Sequence, residues 1–397
     1  MNTVFEHAAI GNIQLKNRIF RSATHEGMAD KDGRPIKEFD AVYKRLAEGG
    51  VGAIITGFTA VQKNGRGAWN IRMFDSDNYI EDYQRINKDL KENGTPVILQ
   101  LAHCGGCGFA NVKGEQLVAP SAIKVTDYPS KPRELKEFEI REIIENFIKA
   151  IKRAQAAQFD GVQLHAAHSY LLAAFLSPYL NRRNDEWGGS TKNRFRIISE
   201  IVSGARKVVG DFPIFIKISA YDGMKNGLTV EETVEIAKLL QECGIDCIEV
   251  SCGGGNAMFN TVRVTDIPID AILTFLPIFS NSSWIKKKAL KLALPFVLKK
   301  FTPLNNYNVA AAEKIKQNVD IPVIVVGGIR KIDDIQKIIN TNQADFVSMS
   351  RPFIIEPGIV NKFKLGTQKE SRCINCGYCL LACMSKVTRC FMGKMPD

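Results

Sequence analysis

Eight short apolar runs, rich in β-forming residues, recur along the chain, and amphipathic helical patterns separate most of them. Strands that are apolar almost throughout are typical of a parallel sheet covered by helices on both faces. Eight strand–helix units predict a (β/α)₈ barrel (TIM barrel), which closes at this strand number and needs about 250 residues before insertions. The predicted strands are residues 18–23, 53–58, 97–102, 161–166, 214–219, 247–252, 323–328 and 346–351.

An open, doubly wound sheet is the alternative α/β architecture. Such a sheet usually carries a G-x-G-x-x-G turn after its first strand, where a dinucleotide phosphate binds. The first predicted strand instead runs into Ser22-Ala23-Thr24, so the barrel is favoured. We predict a barrel domain over residues 1–365 with a long insertion at 256–306, followed by a cysteine-rich segment at 366–397.

Charge and cysteine usage narrow the class of protein. The net charge of +11 is concentrated, since residues 285–301 hold six lysines and no acid, and no nucleic-acid-binding motif accompanies it. No run of about 18 uncharged apolar residues predicts a membrane span, and the N-terminus lacks the pattern of a secretory signal. Five of the ten cysteines lie in the last 25 residues, which favours metal or redox chemistry in a reducing cytoplasm over a disulfide scaffold.

In a (β/α)₈ barrel the active site lies at the C-terminal ends of the strands. Each predicted strand here stops at polar residues or glycine. This rule gathers Ser22, Ala23, Thr24, His25, Gly57, Gln100, His165, Lys217, Ser251, Gly327, Gly328, Ser350 and Arg351 around one mouth.

The seventh and eighth strand ends predict a phosphate site. Gly327 and Gly328 allow a close approach of the backbone, and Arg351 can add a charge-assisted contact. Two ordinary tight turns are the alternative.

Gln100 can present its amide to a heteroaromatic ring, and Lys217 can present a positive charge. Together with the predicted phosphate site, these residues fit flavin mononucleotide (FMN). A salt bridge inside the barrel is the other interpretation of Lys217, because an unpaired buried lysine is costly.

His165, His168 and Tyr170 follow the fourth strand within six residues. A pair of hydrogen-bonded core histidines and a metal site are the simpler interpretations. The H-x-x-H spacing lacks the i, i+4 geometry and adjacent glutamate of H-E-x-x-H, so a zinc protease is disfavoured. Two imidazoles can instead hold a carbonyl oxygen while the phenol transfers a proton.

These residues carry a family resemblance. The segment HAAHSYLLAAFLSPYLNRRNDEWGGSTKNRFR at 165–196 resembles the signature of the old yellow enzyme family of FMN-dependent oxidoreductases, as do LKNRI, GAIITG, QLAH, IKIS and PVIVVGGI. By this resemblance, His165 and His168 would hold the substrate carbonyl, hydride would leave flavin N5, and Tyr170 would protonate the substrate. The implied flavin contacts are Ser22, Ala23, Thr24, Gly57, Gln100 and Lys217, with Gly328, Ser350 and Arg351 at the phosphate.

Two positions depart from the family pattern. Gly106 stands in HCGGCG where an arginine is usual, and His25 stands where members often place a cysteine or threonine that tunes the flavin. Contacts to the flavin and its redox potential are therefore expected to differ. In the later stretch of the signature, Asp185, Arg182 and Arg194 are expected to form an ion-pair network.

The C-terminal segment SRCINCGYCLLACMSKVTRC has ferredoxin-like cysteine spacing. It also resembles the cluster-binding segment of relatives of 2,4-dienoyl-CoA reductase and trimethylamine dehydrogenase. That resemblance implies a 4Fe–4S cluster, and we predict Cys373, Cys376, Cys379 and Cys390 as its ligands, with Cys383 as the alternative fourth. Zinc or an empty site is the other interpretation. Cys104 and Cys107 are expected to line the barrel.

The insertion at 256–306 mixes Trp, Leu and Phe with lysines. A helical lid over the barrel mouth is favoured over an amphipathic segment on a membrane surface. Its lysines would attract an acyl-CoA or carboxylate substrate.

The sequence therefore predicts a cytoplasmic enzyme that reduces an enone or enoate with NAD(P)H as electron donor, and it allows a homo-oligomer. One alternative is a dehydrogenase or demethylase that passes electrons from FMN to the cluster. Another is a flavin/iron–sulfur electron carrier that serves a partner protein and has no substrate of its own.

Overall fold

The computed structural model describes residues 3–108, 116–255 and 258–395. Residues 256–257, with which the predicted insertion begins, lie outside these ranges. So do the ends of the two predicted domains, residues 1–2 and 396–397.

Eight parallel strands form a closed barrel in chain order. β1 pairs with β2, and each later strand pairs with the next until β8 returns to β1. The predicted (β/α)₈ barrel is confirmed. The strands are β1 (Ile19–Arg21), β2 (Ala53–Ile55), β3 (Val97–Ala102), β4 (Gly161–Ala166), β5 (Ile214–Ser219), β6 (Cys247–Ser251), β7 (Val323–Val326) and β8 (Phe346–Met349).

Three strands, β3 to β5, have the predicted bounds. The other five end one to three residues earlier than predicted, because the chain turns outward at the mouth. At the end of β1, for example, Thr24 Oγ1 bonds the carbonyl of Ser22 at 3.1 Å and leaves the strand pattern.

Helices surround the barrel and present apolar residues to it. They are α1 (Lys37–Glu48), α2 (Ile80–Lys91), α3 (Glu137–Ala156), α4 (Thr191–Val209), α5 (Val230–Glu242), α6 (Val309–Lys316), α7 (Ile332–Asn340) and α8 (Ile359–Lys364). α7 buries Ile332, Ile335 and Ile338 at helical spacing. α4 and α5 begin at side-chain caps, where Ser190 and Thr229 accept hydrogen bonds from the backbone three residues on.

An antiparallel hairpin of Ala8–Ile10 and Ile13–Leu15 packs at the opposite end from the mouth. Its Ile10, Ile13 and Leu15 are buried with Phe20 and Phe215 in one cluster. The N-terminal end of the barrel is therefore filled by side chains, which leaves the C-terminal end for a site.

Short helices, 3₁₀ turns and short strands lie in the loops between these strands and helices. Helical ones are Leu171–Leu176, Met258–Thr261, Ile269–Phe275, Pro277–Ser280, Trp284–Val297, Arg351–Ile355 and Tyr378–Ala382, with 3₁₀ turns at Thr3–Phe5, Lys63–Gly65 and Asp77–Tyr79. Strand pairs are Thr59–Ala60 with Arg72–Met73, and Val118–Ala119 with Arg133–Glu134. No helix in the described ranges is long and apolar enough to cross a bilayer.

The insertion and the cysteine-rich segment pack against each other. Ile272 and Phe275 of the insertion share a buried cluster with Leu381 of the C-terminal segment. Further along, the backbone N–H of Thr388 donates to Glu26 O and its hydroxyl donates to His25 O, both at 2.8 Å. The C-terminal segment is thereby attached beside the end of β1.

The expected ion-pair network after β4 is wrong in its partners. Asp185 pairs with Arg183 at 2.5 Å rather than with Arg182, whose Nε donates to a nearby carbonyl. Arg194 pairs with Glu232 of α5. The neighbouring helix supplies a carboxylate that local spacing did not reveal.

Candidate active site

A cavity of about 270 Å³ opens at the C-terminal end of the barrel. Nearly all residues predicted for the site line it: Ser22, Ala23, Thr24, His25, Gln100, His165, His168, Tyr170, Lys217, Ser251, Gly327, Gly328, Ser350 and Arg351. Gly57 does not. A Cβ at this glycine would lie 2.3 Å from Thr24 O, and the next residue, Phe58, lines the cavity instead.

A buried carboxylate, Glu249 of β6, ties the barrel centre together. Its Oε1 accepts hydrogen bonds from Ser22 Oγ at 2.7 Å and Ser348 Oγ at 2.6 Å. Its Oε2 lies 3.2 Å from Lys217 Nζ and accepts from Gln163 Nε2 at 2.7 Å. Ser22 directly follows β1, and the other three partners lie on β8, β5 and β4, so one carboxylate links β6 to residues of four other strand units.

The network fixes the charges at the cavity floor. Burial alone would raise the pKa of Glu249, but Lys217 and the hydrogen bonds hold it below its usual value. Lys217 also donates to Ser22 Oγ at 2.9 Å, so it is paired as a buried lysine must be. Gln100 joins the network by donating to Gln163 Oε1 at 2.7 Å.

The predicted catalytic trio meets on one wall. The rings of His165 and Tyr170 are centred 4.4 Å apart, and those of His165 and His168 are 5.2 Å apart. The left-handed backbone at His168 (φ 60°) and Ser169 (φ 62°) turns the chain sharply after β4. His168 Nε2 contacts Ser251 Oγ at 2.8 Å, whereas the buried Nδ1 of His165 has no hydrogen-bond partner among the described residues.

The protonation states suit hydrogen bonding and proton donation. Burial, with help from His168 and Lys217, holds the pKa of His165 well below its usual value. Burial lowers the pKa of His168 to about 3, so both imidazoles are neutral near pH 7 and each keeps one N–H donor. Burial also raises the pKa of Tyr170 well above 10, and its phenol is protonated.

The opposite wall carries the predicted phosphate residues. Gly328 has φ 72°, and a Cβ there would lie 2.2 Å from Leu304 O. Ser350 Oγ lies 2.7 Å from Thr24 Oγ1, and Arg351 donates to the carbonyl of Arg263 at 2.9 Å. The closely packed Gly328 backbone, the Ser350 hydroxyl and the Arg351 guanidinium together fit an anion such as the FMN phosphate.

His25 lines the cavity, and its ring packs edge-to-face against that of Phe58 with ring centroids 5.5 Å apart. Burial lowers its pKa to about 4. An uncharged aromatic pair therefore stands where the family pattern has a smaller polar residue.

The C-terminal cysteines separate into two groups. Cys373, Cys376, Cys379 and Cys390 line a second, smaller cavity of about 20 Å³. Cys383 instead faces the main cavity, and its thiol donates to Leu380 O at 2.8 Å. Within the described ranges, however, no three or more Cys, His, Asp or Glu side chains are arranged to hold a metal ion.

Cys104 and Cys107, expected to line the barrel, are buried beside it. The Cys107 thiol contacts Ser169 O at 3.1 Å and that of Cys104 contacts Asn64 O at 3.8 Å. Neither is among the described residues that line the main cavity. Gly106, at the position of the usual arginine, also stays outside it and faces Pro132.

Sequence reasoning missed further residues of the site, among them Glu249, Phe58 and Tyr307. Glu249 stands inside an apolar run, where a lone acid requires a buried cation, and Lys217 in the preceding strand was the available signal. Phe58 directly follows Gly57, and Tyr307 reaches the cavity from the end of the insertion. For Tyr307 no local pattern gave a signal.

The comparisons with known proteins bear on this geometry. A family model described as the NADH:flavin oxidoreductase / NADH oxidase family matches residues 3–261 and 279–370. The chain belongs to this family. The gap between the two stretches falls within the predicted insertion, and the match ends at residue 370, before the first cysteine of the C-terminal segment, Cys373.

Two curated relatives and one solved structure illustrate the likeness. An NADH oxidase of Thermoanaerobacter brockii is 33% identical over 377 residues, which are 94% of this chain and 52% of that protein. An NADPH dehydrogenase of Bacillus subtilis is 31% identical over 365 residues, 89% of this chain and 92% of that protein. An old yellow enzyme homologue from Zymomonas mobilis has a TM-score of 0.76 at 22% identity, covering 98% of both chains.

These findings confirm the predicted old yellow enzyme family, which the matching model describes as NADH:flavin oxidoreductase / NADH oxidase. The chain spans about half the length of the T. brockii protein. The reaction of the whole protein is therefore a matter for proposal.

Proposed function

We propose that this chain binds FMN in the main cavity and reduces a C=C bond conjugated to a carbonyl, with NAD(P)H as electron donor. The substrate class is an enone, an enoate or an acyl-CoA thioester. The observation that carries the proposal is the meeting of His165, His168 and Tyr170 on one cavity wall, with a buried His165 nitrogen that has no hydrogen-bond partner among the described residues.

The cavity fits FMN in its donor set. Gly327, Gly328, Ser350 and Arg351 form the anion cradle at one end, and Lys217 supplies positive charge at the floor. The buried amide of Gln100 lies near the cavity floor between them. When bound and reduced, FMN supplies the hydride for the substrate's β-carbon.

The chain's own residues supply orientation and the proton. The neutral imidazoles of His165 and His168 donate hydrogen bonds to the substrate carbonyl oxygen, which gains negative charge as the double bond is reduced. Tyr170 keeps its proton until that charge develops and then delivers it to the α-carbon from its hydroxyl oxygen. Phe58 packs edge-on against Tyr170, with ring centroids 5.2 Å apart, and so helps to fix the position of the phenol ring.

Replacement of Tyr170 tests this assignment. Tyr170→Phe is expected to slow enone reduction by about 100-fold or more, while flavin reduction by NAD(P)H continues. Tyr128→Phe is the matched control, since Tyr128 lines the same cavity and loses the same hydroxyl. Separate stopped-flow measurements of the two half-reactions distinguish the steps. Equal enone turnover in Tyr170→Phe would contradict the proton-donor role, whereas a wild-type protein that turns over no enone would be better described as an electron carrier.

We also propose that Cys373, Cys376, Cys379 and Cys390 hold a 4Fe–4S cluster, which would carry single electrons to or from the flavin. The support is that all four line the smaller cavity and that Cys379 and Arg351 line the main cavity as well.

An anaerobic absorbance spectrum with iron and zinc assays tests the second proposal. Flavin bands with a broad shoulder near 400 nm and about four irons per chain support the cluster. Zinc or no metal would leave an enzyme without a cluster. If a substrate reduced the flavin in the absence of NAD(P)H, the reaction would run as a dehydrogenase instead.

A further inference from the structure

The helix Trp284–Val297 of the insertion is apolar on two opposite sides. Its inner side packs through Leu290 and the buried Leu294 onto the cluster shared with Leu381 of the C-terminal segment. Among the described residues that line the main cavity, none comes from this helix. The helix itself is therefore not a lid, although Met258 and Thr261, earlier in the insertion, do reach the cavity.

The outer side of the helix carries large apolar side chains that are exposed to solvent. Ile285, Leu292 and Phe296 are 65%, 71% and 92% exposed, and Trp284 at the helix start is 73% exposed. The spacing of Ile285, Leu292 and Phe296 places them on one stripe of the helix, away from Leu294. An exposed apolar stripe of this size marks an interaction surface.

Lysines flank the stripe on both sides. Lys286 and Lys288 are exposed next to it, and residues 284–301 include no acid. Two other lysines of the segment are held by aspartates, Lys291 by Asp270 at 2.7 Å and Lys300 by Asp266 at 3.2 Å. The outer side thus combines apolar residues at its centre with positive charge along its edges.

We infer that this outer side binds the surface of an anionic lipid bilayer. Apolar side chains would enter the boundary between headgroups and acyl chains, while the lysines extend to the phosphates. A helix that lies flat in this way does not need the length of a membrane span. The flanking lysines favour an anionic bilayer over a second copy of this chain, whose own copy of the surface would carry the same positive charge.

Vesicle flotation of the complete chain tests the inference without an activity assay. Binding is expected with vesicles of phosphatidylcholine and phosphatidylglycerol, and much weaker binding with phosphatidylcholine alone. Phe296→Ser is expected to lower the partition coefficient by about tenfold. Lys286→Glu and Lys288→Glu are each expected to lower it by about fivefold, an effect that salt removes.

Exposed residues on α4 provide a matched control. Lys207 and Val208 offer one lysine and one apolar residue far from the insertion in sequence, with Val208 47% exposed. Lys207→Glu and Val208→Ser should leave flotation unchanged. Because all five substituted side chains are exposed, the variants are expected to fold.

Trp284 gives a second readout. Its fluorescence should shift to shorter wavelength when anionic vesicles are added, and Trp284→Phe should abolish that shift. Failure of the wild-type chain to float would overturn the inference. So would flotation that Phe296→Ser does not weaken, or a dimer in the absence of lipid that Phe296→Ser dissociates.

Discussion

Lys217 and Glu249 stand opposite each other on neighbouring barrel strands, with Nζ 3.2 Å from Oε2 and both side chains almost fully buried. The positive charge at the cavity floor is therefore accompanied by a negative one. A ring bound above Lys217 meets a paired lysine whose position is set by Glu249 and Ser22.

Glu249→Gln is expected to lower the free energy of unfolding by about 3 kcal/mol, because it leaves Lys217 charged and buried without its partner. The measurement is urea unfolding of the flavin-free protein. The same variant should raise the midpoint potential of bound FMN, since an uncompensated lysine stabilises the reduced, negatively charged ring.

The double variant Glu249→Gln with Lys217→Met is the control for this argument. Replacing Lys217 removes the unpaired buried charge and should restore part of the lost stability. The double variant should therefore lose less free energy of unfolding than the sum of the losses in Glu249→Gln and Lys217→Met. Additive losses would show that the pair is not coupled and that Glu249 acts only through its other hydrogen bonds.

Gly328→Ala is expected to impair both folding and FMN retention. The position has φ 72°, and the new Cβ would lie 2.2 Å from Leu304 O at the predicted phosphate end. Gly366→Ala is a matched control, because its φ is 69° and nothing lies within 4 Å of the added Cβ.

The control should therefore cost only about 1 kcal/mol for the left-handed backbone. Urea unfolding and the fluorescence of released FMN measure the two effects. Equal FMN retention in both variants would place the phosphate away from Gly328.

Serine substitutions separate the two groups of cysteines. Cys373→Ser, Cys376→Ser and Cys390→Ser should each lose most of the bound metal, because their side chains line the smaller cavity. Cys383→Ser should keep it, since that thiol faces the main cavity. Iron and zinc content per chain, measured after anaerobic purification, decides between the two candidate fourth ligands.

The sequence predicted the parts of the fold whose causes are local. The apolar runs of β3, β4 and β5 are buried along their whole length, so their bounds were read correctly. At β1 and β7 the prediction carried the strand two residues too far, into Ser22-Ala23 and Gly327-Gly328 of the turns, because composition does not show where the ladder of hydrogen bonds stops. The mouth residues followed from strand ends and from the family resemblance.

What the sequence could not give depends on pairing across the barrel. Glu249 contacts side chains of three other strands and of Ser22, which follows β1, and Arg194 pairs with Glu232 of the next helix. In the Trp284–Val297 helix, the outer side is defined by the packing of Leu290 and Leu294 against the rest of the protein, and the sequence does not show which side of the helix packs inward. Such relations need the three-dimensional arrangement of the chain.

His103 is a buried histidine whose protonation makes the stability of the fold depend on pH. Its Nδ1 accepts from the backbone N–H of Gly105 at 3.1 Å, and its Nε2 lies 3.1 Å from Asn64 Oδ1, so the folded protein requires a neutral ring. Burial lowers the pKa of His103 to about 3 from the ordinary 6.5. Below pH 6.5 the unfolded chain therefore binds a proton that the folded chain does not, and stability falls as the pH decreases towards 3.

His103→Gln is expected to reduce the slope of unfolding free energy against pH by about 1.4 kcal/mol per pH unit between pH 6 and 4. Urea unfolding at several pH values measures this slope, which is separate from any loss of stability at pH 7. His7→Gln, at an exposed position near the N-terminus, controls for the removal of a histidine and should keep the wild-type slope. An unchanged slope in His103→Gln would mean that His103 takes up a proton in the folded state, and that the contact with Gly105 is lost in acid.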